Sequence, residues 1–118
     1  MSIDVASGYI MLELWEDALE ALEDLSPDER STPDVMVLRL RCCRGMAKWD
    51  LGSVLAELLR HGNEEHRHAA AEFWHALAAA EMADGNLDFA REAARKAATA
   101  SPDVRLAMLD DPALASLW

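Results

Sequence analysis

A chain of 118 residues whose composition is 52% apolar, led by alanine and leucine, is sized for a single domain over residues 1–118. A domain of that length buries roughly two-thirds of the surface its unfolded form exposes, so it needs no staples. Its net charge of −11 argues against nucleic acid and against an anionic membrane as partners, and the scarcity of glycine, proline and alternating Val/Ile/Thr runs leaves an all-α protein as the expectation.

The first predicted helix runs from about Ser2 to Leu12, with Val5, Ala6, Tyr9 and Met11 or Leu12 recurring at helical spacing. After a break at Glu13-Leu14, a second runs from Trp15 to Leu25. Ala18, Ala21, Leu22 and Leu25 form its apolar stripe and Glu16, Asp17, Glu20, Glu23 and Asp24 its acidic one. Ser26-Pro27 ends that helix, and Asp28 to Ser31 reads as a polar linker. Thr32-Pro33 then supplies an N-cap and a first-turn proline for a third helix. Val35, Leu38, Cys42 and Met46 occupy one side of this helix, and Arg41, Arg44 and Lys48 another.

Trp49 opens a fourth helix that extends to about Arg60, with Leu51, Val54, Leu55, Leu58 and Leu59 predicted to point inward and Gly62 as its stop. Asn63 caps the fifth, and Glu64 and Glu65 suit the positive end of its macrodipole. That helix reaches about Ala83. Gly85-Asn86 turns the chain into a sixth helix from Leu87 to about Ala100, and Ser101-Pro102 ends it. In the tail, Val104, Leu106, Ala107 and Leu109 form a short helix and Asp111-Pro112 caps a last turn ending at Leu117-Trp118.

Charge is unevenly distributed. Residues 1–34 hold ten acids and one base, residues 35–60 two acids and five bases, and the remainder ten acids and five bases, so only the middle is basic. No basic segment follows Met1, and Glu13 interrupts the run Tyr9-Ile10-Met11-Leu12, so neither a signal peptide nor a membrane span is expected and the cytoplasm is the expected location. Cys42 and Cys43 are neighbours pointing about 100° apart on a helix, a geometry unsuited to a mutual disulfide, and are expected as buried thiols.

Trp15 and Trp49 are 34 residues apart, as are Ala18 and Gly52, and a third copy falls at Leu87 and Ala90, 38 residues further on. The four additional residues are absorbed by the polar stretch His61 to Arg67. Three helix-turn-helix units follow, at about residues 2–27, 32–62 and 64–102, with residues 103–118 as a cap. Trp74, Leu77 and Ala78, then Gly85, then Ala90, Ala94 and Ala97, then Pro102 give the third unit a pattern that resembles the tetratricopeptide repeat family. Departures are Glu81 where the family usually has an aromatic, a place held by Tyr9 and Cys43 in the other units, and Arg39 where Leu77 stands. The resemblance implies a right-handed α-α superhelix of about three such hairpins, closed at its C-terminal end by Leu106, Leu109, Leu114, Leu117 and Trp118 packing over the sixth helix. An alternative reading of this apolar tail is a recognition peptide.

The family's architecture further implies a non-enzymatic scaffold whose first helices line a concave groove for a peptide or partner helix. Projected onto this chain, the groove holds Ile3, Ser7, Ile10 and Met11, then Val37, Arg41 and Arg44, then His75, Ala79 and Met82. Arg41 and Arg44 share a helix face and suit an acidic segment or a C-terminal carboxylate, although they equally serve to offset the acidic first unit. Two other classes of function stay open. Glu65 with His68 and Glu72 with His75 each make an E-x-x-H pair, the ligand spacing of metal-binding helical bundles, but both lie on one helix and no enclosing shell is visible. The first helix has no capping helix before it, and Ile3 and Ile10 offer an edge for self-association, so a monomer or a weak homodimer is expected. No cofactor is expected, and neither a glycine-flanked serine nor a phosphate-binding glycine loop is present.

Overall fold

The computed structural model describes residues 3–118, so Ser2, the expected start of the first helix and unit, lies outside the described residues. Eight α-helices and a 3₁₀ helix follow in order: α1 (Ile3–Met11), α2 (Trp15–Glu23), α3 (Pro27–Arg30), α4 (Pro33–Gly45), α5 (Trp49–Leu59), α6 (Glu64–Ala83), α7 (Leu87–Ala100), α8 (Pro102–Leu109) and the 3₁₀ helix Pro112–Leu117. No strand occurs among the described residues.

Three of the connections are the same turn. Glu13, Ala47 and Gly85 have φ of 59°, 56° and 80°, and the residues after them, Leu14, Lys48 and Asn86, share φ near −90° and ψ near 73°. In each turn the N–H of that following residue donates to the carbonyl five positions back, on Tyr9, Cys43 and Glu81, at 2.9, 2.8 and 2.8 Å. This is a left-handed helix stop, which satisfies carbonyls the ending helix leaves open. It recurs at the 34- and 38-residue spacings read from the sequence. Only Gly85 is the residue type that this conformation favours, because a Cβ crowds the following carbonyl there. Replacing the exposed Ala47 with glycine should therefore raise stability by about 0.5–1 kcal/mol, measured by urea unfolding, and a loss of stability would contradict this account.

Each hairpin packs on the next. α4 lies against α1, α2 and α5, α6 against α4 and α5, and α7 and α8 close the end, giving an elongated body of 45 × 26 × 21 Å. α4 separates two cores. Val35 and Cys42 join Ala6, Ala18 and Leu22 on one side of it, while Val37, Leu40 and Cys43 join Phe73, Trp74 and the alanines of α6 and α7 on the other. Ala78, Ala90 and Ala97 are fully enclosed, so α6 and α7 approach closely and Trp74 fills the space beside them.

The polar stretch Asp28–Ser31 is not a plain linker, because most of it belongs to α3. The Ser26 hydroxyl accepts from the Glu29 N–H at 3.2 Å and the Glu29 carboxylate accepts from the Ser26 N–H at 3.4 Å, a reciprocal cap that starts one helical turn. Thr32 stands at the cap position of α4, yet its hydroxyl donates to the Glu29 carbonyl instead of accepting from the helix. On α5 the buried face is Gly52, Leu55, Ala56 and Leu59, while Leu51, Val54 and Leu58 point outward, contrary to their predicted direction. The absent side chain of Gly52 draws that face onto Phe73, and an adjacent apolar stripe is left facing solvent. The C-terminal segment packs on α6 and α7; of the predicted residues Leu114 is buried and Leu117 lies against the core, whereas Leu106, Leu109 and Trp118 are exposed and Val104 and Met108 are buried in addition.

Candidate functional site

The predicted groove residues divide into three groups. Val37 is 3% exposed and belongs to the second core, so it is not a groove residue; the small side chains of α6 draw this face of α4 inward. Ala79 and Met82 are half-buried and also pack on that core, and Ile10 packs on the first. Ile3 and Met11 are exposed, at 40% and 84%, and Ser7 is half-buried. Arg41 and Arg44 on α4 and His75 on α6 remain as polar groups with partly open surfaces.

The α4 arginines differ in their surroundings. Arg44 Nη1 lies 3.7 Å from Glu72 Oε2 of α6, with both side chains more than one-third exposed, which links the second hairpin to the third. Glu72 also lies 3.7 Å from His68 Nε2 on its own helix, and His68 Nδ1 is 3.1 Å from the Ser101 hydroxyl. Arg41 has no carboxylate within 4 Å among the described residues. An exposed pair of the Arg44–Glu72 kind contributes about 0–1 kcal/mol, so an incoming carboxylate can displace Glu72 at little cost.

Three of the four histidines link α6 to other segments. Asn63 caps α6 as predicted, its side-chain oxygen accepting from the His66 N–H at 2.9 Å, and the Asn63 N–H donates back to His66 Nδ1 at 3.3 Å. Nδ1 is thus the acceptor and Nε2 carries the proton, which it donates to Asp34 on α4 at 3.2 Å. His75 Nε2 donates to Asp111 at 2.7 Å, fastening the C-terminal segment to α6, so His75 is a cap contact more than a groove residue. Among the described residues no three of His, Cys, Asp and Glu converge to hold a metal ion.

Asp111 is held below the ordinary carboxylate value of 3.8, chiefly by the His75 hydrogen bond and then by the N–H of Ala113. A group that is more acidic in the folded state stabilises the fold fully above its unfolded value, and that contribution is lost as the pH falls through the folded one. Asp111→Asn should therefore lower the urea midpoint at neutral pH, and the difference from wild type should vanish between roughly pH 5 and pH 2. A difference that persists unchanged into acid would rule this pair out as the cause.

Cys42 and Cys43 are fully buried, and burial pushes the Cys42 thiol up to about 11 and raises Cys43 as well. Both are protonated core groups at neutral pH and poor nucleophiles. Lys96 holds the Glu57 carboxyl below its usual range by a hydrogen bond, with Arg60 assisting, and this trio ties α5 to α7 above Trp74.

Several clefts lie outside the predicted groove. One of about 800 Å³ opens between the starts of α6 and α8, where Glu64, Glu65 and Asp103 together with Arg67 border His68 and Ser101. Another lies between α7, α8 and the C-terminal 3₁₀ helix. Glu72, the partner of Arg44, stood in the sequence only as half of an E-x-x-H pair, and Asp111 only as a cap. Their pairings cross units, which no local pattern reveals. Comparison with family models, curated proteins and solved structures gives no match for this chain. Among the described residues no helix is long and apolar enough to cross a membrane.

Proposed function

We propose that the protein is a non-enzymatic interaction scaffold, a tetratricopeptide-like superhelix of three hairpins and a cap, which binds an acidic or carboxylate-terminated polypeptide along the face carrying Arg41 and Arg44. The observation that carries this reading is Arg41: a half-buried residue with no ion-pair partner among the described residues, one helical turn from Arg44, whose pair with the partly exposed Glu72 is a weak one. The threefold recurrence of the hairpin turn supports the architectural part, since repeats of one unit build extended binding faces.

Two neighbouring guanidinium groups each present paired N–H donors to a carboxylate. Affinity capture from native lysate, run in parallel with Arg41→Ala/Arg44→Ala, tests the reading. Partners retained by the wild type should be lost or weakened about tenfold or more, in keeping with about 1.5–3 kcal/mol for a charged hydrogen bond. Equal capture by both proteins would reject the arginine face as the binding site.

A further inference from the structure

The cleft between α7, α8 and the C-terminal 3₁₀ helix combines an apolar floor with a rim whose charged side chains are all cationic. It measures about 400 Å³, within the range of small ligand sites. Met108 forms its floor at 1% exposure with Leu117 beside it, while Leu109 and Trp118 stay 54% and 57% exposed along its edge. Ala94 and Ala98, one turn apart on α7, keep the space shallow and open because neither fills it.

Arg91, Arg95 and Arg105 stand around this floor, and no acidic side chain lines it. The chain carries 22 acids and 11 bases, so a lining whose charged side chains are all arginines runs against its average. Two of these arginines are only lightly engaged: Arg91 lies 3.8 Å from Asp88, and Arg95 pairs with Glu92, both one turn back on the exposed side of α7. Such surface pairs contribute about 0–1 kcal/mol and exchange readily. Arg105 on α8 has no ion-pair partner among the described residues.

We infer that this cleft is a second docking site, for a polypeptide segment that carries an apolar side chain flanked by carboxylates. The apolar group seats on Met108 and Leu117 against Trp118, and the carboxylates meet the arginine rim. Exposed tryptophan and arginine around an apolar pocket are the residue types that dominate binding energy at interfaces. The spread of the cations decides the class of occupant. Arg91 and Arg95 share one helix face while Arg105 rises from another helix, so the rim matches several carboxylates at separate points, as on an acidic segment, and not the single head group of a fatty acid. The site lies on other helices than Arg41 and Arg44 and stands independently of them.

Fluorescence anisotropy with a short labelled peptide of leucines and glutamates at helical spacing tests the inference, with its glutamine counterpart and laurate as comparison probes. The glutamate peptide should bind, weaken as salt is raised, and lose about tenfold or more in affinity on Arg91→Glu/Arg95→Glu and on Arg105→Glu. Arg41→Ala/Arg44→Ala should leave this binding unchanged, which separates the two sites. Circular dichroism checks that the variants fold, and the milder Arg→Gln exchanges at the same three positions should weaken binding in the same order. Equal binding of the glutamine peptide, preference for laurate, or indifference to the arginine substitutions would each overturn the proposal.

Discussion

Replacing Trp74 with alanine should remove about 3–5 kcal/mol of stability, the range for emptying a large aromatic site in a packed core. A domain of this kind has about 5–15 kcal/mol in total, so the variant will be partly or wholly unfolded at moderate temperature. The size of the effect follows from what surrounds the ring. Trp74 is 2% exposed within the larger core, and Arg60 and Lys96 each place their charge 5.7 Å from the ring centroid. Those cations come from the C-terminal cap of α5 and from α7, so one side chain on α6 links segments of two hairpins. The vacated space cannot collapse easily, because the ring belongs to a core whose other members are already buried and close-packed. Urea unfolding followed by circular dichroism measures the loss. A decrease below about 1 kcal/mol would show that the third hairpin does not depend on this ring.

The second large effect comes from adding a single methyl group. A Cβ on Gly52 would lie 2.2 Å from Phe73 Cε1 and 2.5 Å from its Cζ, and Phe73 is itself 1% exposed and tilted against Trp49. Gly52→Ala should therefore destabilise by about 1–3 kcal/mol, even though alanine is the better helix former by about 1 kcal/mol. Gly8 provides the opposite result from the same exchange. Nothing lies within 4 Å of its Cβ position on the exposed side of α1, so Gly8→Ala should stabilise by about 0.5–1 kcal/mol. Combining Gly52→Ala with Phe73→Leu should recover part of the loss, a non-additivity expected of two groups competing for one space. Equal and favourable effects at both glycines would mean that Gly52 is not a close-contact position.

Much of the helix pattern was legible because its signals are local. Caps and stops such as Asn63, Pro33 and Gly85 act within one turn of themselves, and helices α4, α6 and α7 begin where these signals mark. The repeat spacing was legible as well, and it reappears as three copies of one turn. The candidate site was far less so. Arg41 and Arg44 could be placed on one face of one helix, but Glu72 opposite Arg44 and Asp111 opposite His75 are separated from them by 28 and 36 residues in the sequence. Likewise the repeat pattern puts Val37 in the groove, and only α6 laid against it makes it a core residue.

The sequence by itself determined an all-helical chain, the ends of most helices and the register of its repeats, since periodicity and capping depend on neighbours within a few residues. Tertiary structure decided which apolar stripes were buried. α5 offers more apolar surface than its partners cover, and the closeness of Gly52 to Phe73 selects Leu55 and Leu59 over Val54 and Leu58. It also decided which charges were left available, because an ion pair between distant segments exists only once packing has brought them together. Arg44 is held by Glu72 and Arg41 is not, and no spacing along α4 distinguishes the two.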